Sequence, residues 1–300
     1  AYSRREVNGP IRDGHFVCQG GWGIHSLAGC VHRCDYCLEG YIVNFMLDLE
    51  DFAEQLTAMM TRRPEQKVYR YDLYSDSICF EPEYGASSVL SECFAHTEDR
   101  FLLYYTKSDN VEHLLNLPHK SHSIFYCTVA TETSCRLIER GTPSMAARIE
   151  GLRRCQEAGY AVRVGFSPII PVRNWRDEAT ECLEQLFAVV RPETLRLWVL
   201  SLMTIDEMER LIDISLLDPE MLRRAREAEW ETPGDWQKPF PPDARAEIYA
   251  HYIDEIRRIS PETPVSLCSE QFELWDMLSD RLEMSPGDLF CCCGATSVPR

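Results

Sequence analysis

Short apolar segments alternate with amphipathic segments along the first two-thirds of the chain. The apolar segments are rich in β-branched, aromatic and leucine residues, which is typical of strands buried in a parallel sheet. They span 67–74, 100–106, 122–130, 160–170 and 194–200. The segments between them predict helices at 49–63, 87–96, 110–116, 144–159 and 176–190, with Ser144 and Gly159 as cap residues of the fourth. With a first strand near 20–28, the pattern predicts about six βα units.

The alternation ends near residue 215. Residues 216–300 contain helical segments, a Pro- and Trp-rich loop, the short apolar segment "VSLCS" and a cysteine-rich end. The sequence therefore predicts an α/β protein in two parts. Residues 1–215 form a partial (β/α)6 barrel of the TIM type, and residues 216–300 form a mostly helical C-terminal cap with a Cys-rich tail.

Composition and charge narrow the class of protein. The chain has 300 residues, of which 45% are hydrophobic and 26% charged, as in an ordinary globular protein. We expect a cytoplasmic protein without membrane association, because no apolar run approaches the ~18 residues of a membrane span and the start has no signal core. The net charge of −17 argues against nucleic acid as a partner, since binding to a phosphate backbone relies on Lys and Arg.

Three cysteines lie close together in the segment "GCVHRCDYCLEG" (29–40). Cys30, Cys34 and Cys37 have the spacing C-x3-C-x2-C, and the next cysteine is Cys79. A structural zinc site needs four ligands, whereas three thiolates can hold three irons of a [4Fe–4S] cluster and leave the fourth iron open. A non-enzymatic metal-binding module is the alternative interpretation.

With the aromatic Tyr36 before its last cysteine, this motif resembles that of the radical S-adenosylmethionine (SAM) enzymes. The resemblance implies a partial barrel of the radical SAM kind, with Cys30, Cys34 and Cys37 as metal ligands at the catalytic centre. It implies a [4Fe–4S] cluster and SAM as cofactors, and reductive cleavage of SAM as the reaction. A reductant protein such as flavodoxin or ferredoxin is then the expected electron donor.

Three further segments, "YSDSICFEPE" (74–83), "RFLLYYTKSDNVEHLL" (100–115) and "ERGTPSMAARIEGLRRCQEAGYAVRVGFSPII" (139–170), extend the resemblance. Together with the cysteine loop they resemble the spore photoproduct lyase family, in the same order, over roughly residues 20–190. The resemblance implies that Ser75, Asp76, Lys107 and Thr128 contact SAM from successive strand ends, with Tyr36 near the adenine. A salt bridge between Asp76 and Lys107 is the alternative interpretation of those two residues.

The chain also departs from that family. The lyase carries a hydrogen-donating cysteine just before the Ser-Asp step. The matching stretch here reads Asp72-Leu73-Tyr74-Ser75-Asp76, with no thiol near Leu73, and Cys79 comes several residues later. Because of this difference and the acidic charge, we expect a small-molecule or peptide substrate. DNA lesion repair of the spore photoproduct lyase kind is the alternative.

The chain ends with a second group of thiols, Cys291, Cys292 and Cys293, and Cys268 is a candidate fourth member. They could be unliganded thiols, ligands of an auxiliary iron–sulfur cluster, or a site for a thiophilic substrate such as trivalent arsenic. The last interpretation implies transfer of a SAM-derived group, for example aminocarboxypropyl. We expect this tail to cover the SAM site and to select the substrate.

Overall fold

The computed structural model describes the backbone of residues 2–5 and, with side chains, residues 16–40, 42–118, 120–228 and 237–300. Part of the predicted Pro- and Trp-rich loop, residues 229–236, lies outside these ranges. The described strands are, in chain order, β1 (Tyr2–Arg5), β2 (Gly21–Ile24), β3 (Leu27–Ala28), β4 (Asn44–Phe45), β5 (Val68–Tyr71), β6 (Phe101–Thr106), β7 (Ser123–Val129), β8 (Ala161–Ile169), β9 (Leu195–Val199) and β10 (Val265–Leu267).

One sheet contains eight of these strands, in the order β1-β2-β5-β6-β7-β8-β9-β10. Strand β1 pairs antiparallel with β2, and the other neighbours pair parallel. Strands β3 and β4 form a separate antiparallel pair. The run of parallel strands confirms the predicted fold class, a partial barrel. Strand β10 extends the sheet by one strand beyond the six predicted βα units.

Helices connect the strands, as the periodicity predicted. They are α1 (Leu49–Arg62), α2 (Ala86–Ala95), α3 (Glu112–Leu115), α4 (Met145–Glu157), α5 (Trp175–Val189), α6 (Ile205–Leu211), α7 (Pro219–Glu227), α8 (Pro242–Ile259), α9 (Phe272–Met277) and α10 (Ser279–Leu282). Short helical turns lie at Lys120–His122, Ser134–Ile138, Ile214–Leu216 and Pro286–Asp288. Helix α4 begins at the predicted cap: the Ser144 side chain accepts a hydrogen bond from the Ala147 amide, 3.2 Å away. It ends before Gly159, whose φ of +97° favours glycine.

The two faces of the sheet have different surroundings, because successive side chains of a strand point in opposite directions. On β7, Phe125, Cys127 and Val129 belong to the large apolar core that includes residues of the helices. Ile124 and Tyr126 belong to a second, smaller cluster. That cluster also contains Cys292 and Cys293, so the C-terminal tail packs on the face of the sheet opposite the helices.

A buried cluster of polar and charged side chains around Glu270, just after β10, attaches the C-terminal region to the sheet. Glu270 lies 2.8 Å from Lys238 Nζ and accepts hydrogen bonds from Arg245 Nη2, at 3.1 Å, and from Tyr249 Oη, at 2.7 Å. Tyr249 Oη in turn accepts from the Val199 amide of β9. The pKa of Glu270 is lowered: burial opposes this, but Lys238 and Arg245 outweigh it. The division at residue 215 stays a prediction, since β10 belongs to the same sheet.

The tail closes the end of the barrel at which the parallel strands begin. The Ala295 carbonyl accepts from the amides of Lys67 and Val68, at 2.8 and 3.0 Å, at the start of β5. The Cys292 carbonyl accepts from Arg163 Nη1, near the start of β8. The strands' carboxyl ends lie at the other end of the barrel. The expectation that the tail covers the SAM site beside Cys30, Cys34 and Cys37 was therefore wrong.

None of the helices within the described ranges is long and apolar enough to cross a membrane.

We expect Glu270→Ala to lower the free energy of unfolding by about 3–5 kcal/mol, because it leaves Lys238 and Arg245 buried without their shared carboxylate. Chemical denaturation followed by circular dichroism measures the change. Glu184→Ala is the matched control, since Glu184 pairs with Arg258 on the surface and such pairs contribute little. Equal stabilities of the two variants would contradict this account of how the C-terminal region is held.

Candidate active site

A chamber of about 330 Å³ lies at the carboxyl ends of the parallel strands. Functional residues of parallel α/β barrels collect at this end. All eight residues predicted for the cluster and SAM line this chamber: Cys30, Cys34, Tyr36, Cys37, Ser75, Asp76, Lys107 and Thr128. The structure thus brings together residues from the cysteine loop and from the ends of three neighbouring strands.

The cysteine loop begins with a turn that only glycine can make. Gly29 has a φ of +86°, and a Cβ atom built there would lie 2.1 Å from the Ile42 carbonyl oxygen. The Gly29 amide donates to the Tyr74 carbonyl, and the Cys30 amide donates to the Gly40 carbonyl, both at 2.9 Å. These bonds close the loop on itself and fix its first cysteine beside the end of β5.

A second segment, 134–141, holds the other side of the loop. Cys34 pairs with Glu139 in an isolated antiparallel bridge, and the Asp35 amide donates to the Ile138 carbonyl at 2.9 Å. The backbones come so close that a Cβ atom on Gly141 would lie 2.7 Å from the Arg33 amide nitrogen. Cys34 is buried and Cys37 is exposed, so the loop presents its thiols at the rim of the chamber.

The Glu139 network consists of Glu139, Lys107, Arg148 and Tyr36. Glu139 Oε1 accepts from Lys107 Nζ at 2.6 Å and from Tyr36 Oη, and Oε2 accepts from Arg148 Nη2 at 2.6 Å. The side chains of Glu139 and Arg148 are almost completely buried. Burial alone would raise the pKa of Glu139, but Lys107 and Arg148 outweigh it and lower the pKa to about 2. The carboxylate is therefore ionised at neutral pH and joins the cysteine loop to β6 and α4.

Asp76 does not form the alternative salt bridge with the Lys107 side chain, so that interpretation was wrong. Its carboxylate accepts from Thr106 Oγ1 at 2.8 Å and from the Lys107 backbone amide at 2.7 Å. His32 Nε2 lies 3.3 Å from Asp76 Oδ2. Burial favours the neutral forms, yet this contact lowers the pKa of Asp76 and raises that of His32. Asp76 thus connects the end of β6 to the cysteine loop.

The thiols of the loop are protonated unless a cation replaces their protons. Burial raises the pKa of Cys30 to about 11 and that of Cys34 to about 12, and it also raises that of Cys37. Among the described residues, no three His, Cys, Asp or Glu side chains converge on a position for one metal ion. A closed zinc site requires such convergence. Three cysteines of an iron–sulfur cluster each bind a different iron, so the spread thiols fit a cluster better than a single ion.

The chamber also contains buried hydroxyl groups without a partner. Ser75 Oγ and Thr128 Oγ1 are buried and accept or donate no hydrogen bond within the described part of the chain. Buried polar groups are normally satisfied, so these hydroxyls fit a polar ligand such as the amino acid or ribose part of SAM. The donor set of the chamber is therefore compatible with both the cluster and SAM.

Apolar residues also line the chamber, and one of them, Leu73, stands where the sequence lacks the hydrogen-donating cysteine. Leu73 and Leu38 form part of the wall, and the thiols that line it are those of Cys30, Cys34 and Cys37. Cys79 is not part of the wall; its Sγ points to the Asp76 carbonyl. Sequence reasoning missed Tyr105, Ser167 and Trp198, which also line the chamber. The sequence signal that could have identified these three residues is their position at or near the ends of predicted strands.

The thiol groups of the C-terminal cysteines do not all point toward one common position. Cys292 Sγ points to the carbonyls of Val164 and Thr194, at 3.3 and 3.6 Å, while Cys291 interacts with Cys293. Burial raises the pKa of Cys292 to about 12. Cys268 lies just after β10. The second site predicted on Cys268, Cys291, Cys292 and Cys293 stays a prediction, and the thiols would have to turn before three of them could bind one ion.

A family model and the curated relatives of this chain all indicate the same family. The family model described as spore photoproduct lyase matches residues 20–206. The spore photoproduct lyase of Geobacillus sp. is 25% identical over 173 residues, covering 55% of this chain and 50% of that protein. The one from Bacillus subtilis is 24% identical over 183 residues, covering 58% and 53%. The chain thus matches about half the length of these curated relatives.

A solved structure shares the fold. It is a doubly substituted spore photoproduct lyase with bound AdoMet and dinucleoside spore photoproduct. Its TM-score is 0.69 at 20% identity, and the match covers 81% of this chain and 75% of that one.

We expect Glu139→Gln to lower the free energy of unfolding by about 2–4 kcal/mol, because Lys107 and Arg148 would share no carboxylate. The cysteine loop should also open, so that iodoacetamide modifies Cys34 faster, as measured residue by residue by mass spectrometry. Glu150→Gln on the surface of α4 is the control, since Glu150 is exposed and pairs with Arg153 of the same helix. If iodoacetamide modifies Cys34 in Glu139→Gln no faster than in the native protein, the Glu139 network does not hold the cysteine loop.

Proposed function

The chain belongs to the spore photoproduct lyase family of radical SAM enzymes, and from this premise we propose that Cys30, Cys34 and Cys37 hold the family's [4Fe–4S] cluster and that SAM is cleaved reductively in the chamber. The observation that carries the proposal is the convergence of all eight expected residues on one chamber. The cluster and SAM, when bound, supply a one-electron cleavage of a carbon–sulfur bond and hence a carbon radical. A flavodoxin- or ferredoxin-like protein would deliver the electron.

In this proposal Ser75 and Thr128 bind SAM directly, because their hydroxyls are buried and have no partner within the described residues. Lys107 has a different position. Its three N–H groups already point to Tyr36 Oη at 2.8 Å, Glu139 Oε1 at 2.6 Å and the Ser167 carbonyl at 3.2 Å. A direct contact between Lys107 and SAM requires one of these bonds to be exchanged. Lys107 therefore orients Tyr36 toward the ligand in addition to supplying positive charge.

We expect the anaerobically reconstituted protein to bind roughly four irons per chain and, with a reductant, to release 5′-deoxyadenosine or methylthioadenosine from SAM. Mass spectrometry identifies the product and hence the bond that is broken. Variants with Ser at Cys30, Cys34 and Cys37 should lose both iron and cleavage, whereas Cys155→Ser, in the core, should retain both. Bound zinc together with intact SAM in the native protein would support the metal-binding module instead.

For the substrate, we propose a lesion of the spore photoproduct kind. The support is family membership, together with the shared fold of a relative solved with AdoMet and dinucleoside spore photoproduct. A dinucleoside carries no phosphate, so its binding does not require the many Lys and Arg contacts that a duplex phosphate backbone would need from a chain of net charge −17. The chamber walls contribute apolar side chains, such as Leu73 and Trp198, against which bases can pack.

A small-molecule or peptide substrate is the second candidate function. The observation that favours it is Leu73, which stands where the lyases carry the hydrogen-donating cysteine. Without a thiol at this position, the described chamber wall offers no thiol that could donate hydrogen in a lyase reaction, because the thiols that line it are the proposed cluster ligands.

The dinucleoside spore photoproduct distinguishes the two candidates. We expect it to stimulate formation of 5′-deoxyadenosine by the native protein, with little thymidine released, and we expect Leu73→Cys to raise the thymidine yield severalfold. Liquid chromatography of both products measures this. Leu38→Cys, also in the chamber wall, is the positional control. If the lesion changes neither product in the native protein or in Leu73→Cys, the small-molecule candidate is preferred.

A further inference from the structure

A buried arginine lies directly behind the chamber wall. Arg196, on β9, is 4% exposed. Its Nη2 donates to Tyr105 Oη at 2.6 Å and to Ser167 Oγ at 2.8 Å, and both of these residues line the chamber. The guanidinium also lies over the rings of Tyr105 and Tyr126, with centroid distances of 5.4 and 5.0 Å. The positive charge is thus held in a fixed position next to the proposed substrate space.

No carboxylate within the described residues forms an ion pair with Arg196, in contrast to other buried cations of this chain. Lys107 and Arg148 share Glu139, and Lys238 and Arg245 share Glu270. The contacts of Arg196 are hydroxyls, aromatic rings and Cys293 Sγ, which lies 3.6 Å from Nη1. Burying a charge without an opposite charge costs several kcal/mol. Such a cost is expected where a ligand later supplies the missing partner.

Three buried polar atoms on strands β7 and β9 have no hydrogen-bond partner among the described residues. Arg196 Nε and Trp198 Nε1 are buried without a partner in the described part of the chain, and so is Tyr126 Oη. Gly165 leaves the space for that hydroxyl, because a Cβ atom there would lie 1.8 Å from Tyr126 Oη. Guanidinium and indole groups only donate. A ligand that satisfies this group must therefore be rich in acceptors, as an anionic oxygen group is.

We propose that Arg196, with Tyr105 and Ser167, forms an anion-binding floor of the chamber that takes an anionic oxygen group of the substrate, either a phosphodiester or a carboxylate. Its role in substrate choice rests on the proposed function, since it assumes that the substrate occupies this chamber. In the complex, the Tyr105 and Ser167 hydroxyls accept from the guanidinium behind them and donate to the anionic oxygens, whose charge the guanidinium balances. A substrate with an anionic oxygen group is thereby preferred over its uncharged analogue.

Thermal denaturation of the reconstituted protein tests the site without any turnover. The probes are dimethyl phosphate, as a phosphodiester, and acetate, as a carboxylate, each compared with sodium chloride at equal ionic strength. We expect at least one of the two to raise the melting temperature of the native protein, because it binds only the folded state. Arg196→Met should melt higher than the native protein without a probe. It should also bind the effective probe at least about tenfold more weakly.

Arg163→Met is the matched control, because Arg163 is also buried inside the barrel but pairs with Glu193 at 2.9 Å. This variant should melt lower than the native protein and keep the full shift with the effective probe. A shift with dimethyl phosphate alone assigns the floor to phosphodiesters, and a shift with acetate alone assigns it to carboxylates.

Three outcomes overturn the proposal. The first is that neither probe shifts the native protein, and the second is that the shift persists in Arg196→Met. The third is that Arg196→Met melts lower than the native protein, which would mean that the contacts of the guanidinium with Tyr105, Ser167 and Cys293 already offset its burial. Cleavage of SAM is measured on the same samples and tests the proposed function by itself. Failure of the anion-binding floor is therefore distinguishable from failure of the proposed function.

Discussion

The buried carboxylate of Glu139 is the interaction on which the architecture of the chamber depends. It binds Lys107 from the end of β6, Arg148 from α4 and Tyr36 from the cysteine loop. A carboxylate in an apolar interior is costly, and only close opposite charges and hydrogen bonds offset that cost. Two cations share this one anion, so displacement of Glu139 would leave both of them unpaired, and displacement of Tyr36 would break its hydrogen bond to the carboxylate. The loop that carries the three cysteines therefore takes one position relative to the sheet.

The polar groups inside the barrel are of two kinds, and the difference has a functional meaning. Those around Glu139 and Glu270 are paired with opposite charges, and they hold the cysteine loop and the C-terminal region in place. The hydroxyls of Ser75 and Thr128 and the indole of Trp198 are buried without partners in the described residues. Unsatisfied polar groups lower stability, and a polar ligand bound in the chamber would offset that cost for these three, which line it.

The C-terminal tail closes the barrel at the end opposite the cysteine loop. The first residues of parallel strands present backbone amides that no neighbouring strand satisfies, and the Ala295 carbonyl accepts from two of them, those of Lys67 and Val68. Cys292 fits this place because its thiol is small and can donate weakly to the strand carbonyls that it meets. The chamber itself lies at the carboxyl ends of the strands, at the end of the barrel that this tail does not close.

Much of the fold and of the candidate site could be predicted from local sequence patterns. Apolar segments and helical periodicity placed the strands and helices, because burial of one face imposes a period that is visible in the sequence. The spacing of Cys30, Cys34 and Cys37 identified the chemistry. Resemblance to known families identified five of the other residues that line the chamber, namely Tyr36, Ser75, Asp76, Lys107 and Thr128. These residues come together because the carboxyl ends of parallel strands meet at one end of a barrel.

Only the tertiary structure decided which charges are paired. Tyr36 and Glu139 are 103 positions apart, and Arg163 and the Cys292 carbonyl are 129 apart. No periodicity relates such residues, so the sequence could not show that Lys107 binds Glu139 rather than Asp76. Nor could it show that Arg196 has no carboxylate partner, or that the three C-terminal cysteines lie at the opposite end of the barrel. Electrostatic pairing depends on distance in space, and that distance exists only once the chain has folded.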